Sequence, residues 1–155
     1  MFRVIALDPG GRTGWATFTA ASQDTAVDPP FGFTCGTLGP NPHRRKLEHL
    51  LGNQHVDNYH VVCERFIVQP DNPGKEQVSL EYEAVARDFC RDRKIPIHLQ
   101  TPSQAKRFVP NPVLKKLGLW VPGDAHKHEM DAYRHLIWYL VIKLEYKSLL
   151  ERGWR

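Results

Sequence analysis

The chain predicts an α/β domain built on a mixed five-stranded sheet flanked by helices. The prediction rests on an opening run of strand-type segments, a later alternation of helix and strand patterns, and an apolar first strand that runs straight into a glycine turn. Residues 2–8 are almost continuously apolar up to Asp8, as in a strand buried on both faces. Residues 14–20 and 31–38 carry Trp15, Thr17, Phe18, Phe31, Phe33 and Thr34 at strand-like density, with a polar loop containing Pro29-Pro30 between them. Asn41 reads as a cap and Pro42 as a first helical residue; Leu47, Leu50 and Leu51 give that short helix one stripe before Gly52 stops it. A fourth strand, Tyr59 to Cys63, ends at Glu64.

After a loop holding Pro70, Asn72, Pro73 and Gly74, residues 76–93 place Val78, Tyr82, Val85 and Phe89 at helical spacing. That stripe packs either on the sheet or on a partner chain. Ile95 to Leu99 make a short strand, and Thr101-Pro102-Ser103-Gln104 reads as a capping box opening a basic helix. Another helix follows near Pro112. Asp124 is then the expected cap of a long helix with Met130, Tyr133, Ile137, Leu140 and Leu144 as its apolar stripe.

A length of 155 residues predicts one domain, 1–155, with a single core. Hydrophobic residues at 41% and charged residues at 25% match a globular chain, and no apolar run is long enough to span a bilayer. With its first strand beginning at Phe2 and no leader before it, the chain is expected in the cytoplasm, of a bacterium or a phage-infected host. Cys35, Cys63 and Cys90 are an odd, widely spaced set, which argues against a disulfide framework or a thiolate zinc site. The formal charge of +4 leans toward an anionic partner. Its cations recur beside turns and helix starts: Arg12, His43-Arg44-Arg45-Lys46, Lys75, Lys106-Arg107 and Lys115-Lys116.

The chemistry points to the acids. Asp8 lies between an apolar strand and the turn Pro9-Gly10-Gly11, where backbone or phosphate can approach closely. A carboxylate beside a sheet end needs a cation or donors; Asp8 either caps the turn or presents its oxygens to a metal. Glu64 ends another apolar strand in the same manner. On the late helix, Asp124, His128, Asp131 and His135 fall within a roughly sixty-degree arc, while His126 points almost opposite His128.

The stretch VIALDPGGRTGWA, the acid in VVCERF, the TPSQAKRFV helix start and the HEMDAYRHL helix together resemble the RuvC-type Holliday junction resolvases, a branch of the ribonuclease H-like nucleases. The match covers most of the chain in the right order. A similar aspartate–glycine turn occurs in the actin-like ATPases, which need two such subdomains and a second phosphate loop; this chain is too short for both.

The resemblance implies a ribonuclease H-like fold and a metal-dependent endonuclease that nicks four-way DNA junctions symmetrically. It implies Asp8, Glu64 and Asp131 as metal-binding acids, with Asp8 shared between two Mg²⁺ ions that Mn²⁺ can replace. In the common bacterial form a fourth carboxylate stands three residues before the last aspartate; here that position is His128, expected to bind an ion or to transfer a proton. Arg12, Lys75, Lys106, Arg107, Lys115 and Lys116 are expected on the DNA backbone. Phe66 either stacks on an unpaired base or packs in the core. A homodimer is implied. The competing expectations are a less selective nuclease for branched DNA or RNA–DNA hybrids, and a junction-binding protein without catalysis.

Overall fold

In the computed structural model, the near-continuous apolar run at the start becomes β1 (Phe2–Asp8), the central strand of a five-stranded sheet. The structure describes residues 1–39, 43–52, 58–67 and 73–155, with the side chains of residues 43–44 and 73–76 outside that description. Side chains alternate across a strand, and β1 uses both faces: Val4 and Ala6 enter one core, Ile5 and Leu7 the other. β2 (Thr13–Ala20) pairs antiparallel with β1, and β3 (Phe33–Leu38) antiparallel with β2. β4 (Asn58–Glu64) and β5 (Ile97–Gln100) lie parallel on the other side, giving the order β3-β2-β1-β4-β5.

Parallel neighbours require crossovers. α1 (His43–Gly52) precedes β4, and α2 (Pro73–Asp92) links β4 to β5. Both helices cover the face carrying Ile5, Leu7, Val61 and Cys63, to which they contribute Leu47, Leu51, Ala86 and Phe89. Tyr82 and Val85 also pack there, so these positions of the α2 stripe face the sheet. Asn41 and Pro42 lie outside the described residues.

The opposite face is covered from the C-terminal half. α3 (Pro102–Phe108) opens with the expected reciprocal cap, the Thr101 N–H donating to Gln104 Oε1 at 3.3 Å. α4 (Asn111–Lys116) follows Pro110 directly. α5 (Lys127–Trp138) then lies across β1, β2, β3 and β4, sending Met130, Tyr133, Leu136 and Ile137 into the core.

The structure departs from expectation in three places. β3 begins at Phe33 because Gly32 turns the chain at φ +78°, which leaves Phe31 75% exposed. Asp124 is not the cap of the long helix: Asp124–His126 form a separate 3₁₀ turn, and Asp124 is exposed. The predicted long helix also changes its winding after Trp138 and stops one residue short of Leu144. A π-helical segment, Tyr139–Lys143, continues α5, with the Leu144 N–H donating to Tyr139 O at 3.2 Å, and Glu145 at φ +57° reverses the chain into an unanticipated α6 (Lys147–Trp154). No glycine or proline marks that stop in the sequence. α6 closes the core against α4, where a Cβ on Gly153 would lie 3.1 Å from Val113 Cγ1.

All three cysteines are free thiols, with Cys63 and Cys90 buried, as packing residues should be. No described helix is long and apolar enough to cross a membrane.

Leu136 is completely buried beneath α5. Leu136→Ala should cost about 2–5 kcal/mol through lost transfer energy and residual cavity, measured as a lower urea midpoint at unchanged m-value.

Candidate active site

The β-strand period puts Asp8 on the same face as Val4 and Ala6, the face that α5 covers. Opposite Asp8 in the antiparallel ladder stands Gly14. A Cβ there would sit 2.1 Å from the backbone oxygen of His128 and 2.8 Å from its Cβ, so only glycine lets the first turn of α5 rest on β2 at this point. The close approach delivers His128 to the strand end, where its Nδ1 lies 2.8 Å from Asp8 Oδ2.

Glu64 arrives by the same rule on the neighbouring strand. Leu7 is paired with Cys63, so the next residues, Asp8 and Glu64, end adjacent parallel strands side by side. Val62 belongs to the α5-side core and Cys63 to the other, which turns Glu64 toward α5. There Glu64 Oε2 meets His135 Nε2 at 2.7 Å, and His135 Nδ1 meets Gln100 Oε1 at 2.7 Å. Gln100 is the register partner of Glu64 on β5, and both His135 and Gln100 are fully buried.

Asp131, one turn beyond His128 on α5, is buried and engaged at both oxygens. Arg134 Nη1 donates to Oδ1 at 2.7 Å, and Lys106 Nζ lies 3.1 Å from Oδ2. Arg134 also donates from Nε to Val109 O at 3.2 Å and from Nη2 to Asn111 Oδ1.

Asp8 is only 6% exposed. Burial raises its pKa, the nearby Glu64 and Asp131 raise it further, and the hydrogen bond from His128 opposes them. That hydrogen bond is the main cause of the raised pKa of His128, against a smaller contribution from burial. Asp8 therefore senses both other acids as charges. Even so, among the described residues no three side chains of the His, Cys, Asp and Glu types converge closely enough to hold a metal ion. Each acid is taken up by a protein partner: His128 on Asp8, His135 on Glu64, Lys106 with Arg134 on Asp131.

The residues expected on DNA are more scattered. Arg12 is exposed in the turn after β1, and Arg107 and Lys116 are exposed on α3 and α4. Lys115 sits 5.5 Å over the Trp120 ring, and Lys106 bonds to Asp131 instead of standing free. Phe66 is half-buried, its N–H donating to Glu83 Oε2 at 2.9 Å. The side chain of Lys75 lies outside the described residues. Asp124 leaves the predicted arc because its turn is not part of α5, and His126 binds Glu129 at 2.6 Å, away from His128.

His135 lay within the predicted arc, but its partnership with Glu64 depends on strand position and has no local signal. Gln100 and Arg134 carried none either: one is placed by the β4–β5 register, the other by the turn at Val109–Asn111.

This sheet order, with α5 laid over the ends of β1 and β4, is the ribonuclease H-like fold in its RuvC-type form. Among solved structures it is similar to T. thermophilus RuvC in complex with a Holliday junction substrate, at 13% identity and a TM-score of 0.62, over 94% of this chain and 98% of that one. It is also similar to a second Thermus thermophilus RuvC structure, at 16% identity and a TM-score of 0.60, over 92% and 96% of the two chains. At these identities the likeness establishes the fold. No family model and no curated protein matches the chain in sequence.

Gly14→Ala should force α5 away from β2 and part His128 from Asp8. The overpacking should cost about 1–3 kcal/mol, read as a lower Tm, and NMR titration should show the His128 pKa falling back toward its ordinary value as the Asp8 hydrogen bond is lost.

Proposed function

We propose that this chain is a metal-dependent, structure-selective DNA endonuclease that resolves four-way junctions by paired, symmetric phosphodiester nicks. One observation carries the reading: two acids, Asp8 and Glu64, end adjacent parallel strands beneath a helix that brings His128 and Asp131 over them. The fold is shared with a protein solved in complex with a Holliday junction substrate, which supports branched DNA as the substrate class.

The donor set suits a divalent ion. Carboxylate oxygens are the ligands of Mg²⁺ and Mn²⁺, and one imidazole tilts the set toward the softer Mn²⁺. Asp8 resists ionising first because it is buried and then because Glu64 and Asp131 lie near it, and a cation relieves both. Asp8 would hold two ions in common, Glu64 and Asp131 would each hold one, and His128 would complete the set. Such ions supply the charge neutralisation and activated water that phosphodiester hydrolysis needs. The chain's own part is to hold the acids at one sheet end, to keep Asp8 from bulk water, and to hold His128 against Asp8. Exposed Arg107 and Lys116 would follow the DNA backbone together with Arg12, Lys75 and Lys115. Phe66 would stack on a base at the branch point. A junction presents equivalent strands related by a two-fold axis, so the working unit would be a two-fold homodimer with one site per protomer.

Asp8→Asn should lower cleavage of a labelled four-way junction by about 100-fold or more while binding it at least as tightly, since a negative charge facing phosphate is removed. Full activity of that variant would sink the reading. Broad cutting of linear and three-way DNA by the parent protein would point to the less selective nuclease, and binding without cutting in Mg²⁺ or Mn²⁺ to a scaffold.

The imidazole softens one ligand position. His128→Asp should therefore lower the ratio of Mn²⁺-supported to Mg²⁺-supported cleavage at saturating metal; an unchanged ratio would remove His128 from the ligand set.

A further inference from the structure

Beside Asp131 the surface opens into a cavity of about 520 Å³, lined by Lys106, Lys127, Arg134, Asn111 and Pro110, with Asp131 on its wall. Its cations outnumber its one acid, so its charge suits an oxyanion. The cations differ in how they are held. Arg134 is largely buried and fixed by Asp131, Val109 O and Asn111. Lys106 is 49% exposed, and its only ion-pair partner among the described residues is Asp131 Oδ2 at 3.1 Å. An ammonium on a flexible stem is the one that can swing.

We propose that this cavity is a phosphate subsite for a nucleic-acid strand, and that phosphate bound there draws Lys106 off Asp131 and frees the Oδ2 oxygen for a divalent ion. The proposal rests on the reading of Asp131 as a metal-binding acid. Without a strand, Lys106 and Arg134 together occupy both oxygens of Asp131 and repel an incoming cation. With a strand, the phosphate offers Lys106 a second anion in the same cavity, and its half-exposed ammonium can move to it while Arg134 keeps the buried Asp131 paired. Arg134 stays, anchored by its other acceptors, and keeps Asp131 oriented. Strand binding and metal binding then reinforce each other, and by linkage the coupling is the same in both directions. The consequence is a nuclease that loads its metal fully only on substrate.

The test is Mn²⁺ binding to the whole chain, followed by electron paramagnetic resonance at constant ionic strength. The anion is chloride, sulfate, or a short oligothymidylate. Sulfate should tighten Mn²⁺ binding about five-fold or more, and oligothymidylate should do so at lower anion concentration. Lys106→Gln, a surface change whose folding is checked by Tm, should bind Mn²⁺ more tightly than the parent in chloride and lose the response to both anions. If the parent ignores both anions and Lys106→Gln matches it, the coupling is wrong. If sulfate acts and oligothymidylate does not, the subsite takes a free oxyanion and the strand assignment is wrong. Asp8→Asn separates the two layers of argument: Mn²⁺ binding that this variant leaves unchanged would remove the metal centre itself, and the proposal with it.

Discussion

Carboxylates withdrawn from water must be answered by donors or cations, and that demand organises one end of this molecule. An isolated buried carboxylate is expensive enough that it protonates instead, and Asp8 already leans that way. Each acid receives a different answer. Asp8 takes an imidazole from the start of α5, Glu64 a fully buried imidazole braced by Gln100, and Asp131 a guanidinium and an ammonium. Those partners come from β5, α3 and α5, with the Val109–Asn111 turn fixing Arg134. The placement of the C-terminal half of the chain is thus inseparable from the charge it compensates.

Much of this was legible beforehand because it is periodic or local. Two-faced burial of β1, the strand ends at Asp8 and Glu64, the reciprocal cap at Thr101 and Gln104, and the helical face shared by His128, Asp131 and His135 all follow from spacing alone. What escaped was what depends on distance in space. Gln100 reaches His135 through the register of parallel strands, and register has no local code. The change to π-helical winding after Trp138 was invisible because Tyr139–Lys143 are as apolar and helix-compatible as the turns before them, and the stop itself falls at Glu145, which adopts a left-handed conformation usually left to glycine. The stripe on α2 was ambiguous for a related reason: a hydrophobic face does not name what covers it.

The likeness to the Thermus structures, at 13% and 16% identity over nearly whole chains, shows how little of the sequence this architecture prescribes. The sheet needs alternation, crossovers and apolar residues of suitable size, and many sequences meet those conditions. The polar positions are less interchangeable. His135 has an acceptor or donor on each ring nitrogen and no exposed surface, so neither a larger nor an apolar side chain keeps Glu64 where it is.

The contact at Gly14 joins main chain to main chain, with no intervening side chain to repack. Core residues elsewhere can trade volume with their neighbours and shift a helix by fractions of an ångström. This junction has no such tolerance. The Asp8–His128 spacing therefore depends at this point on backbone packing, and a designer remodelling the interior has to keep Gly14.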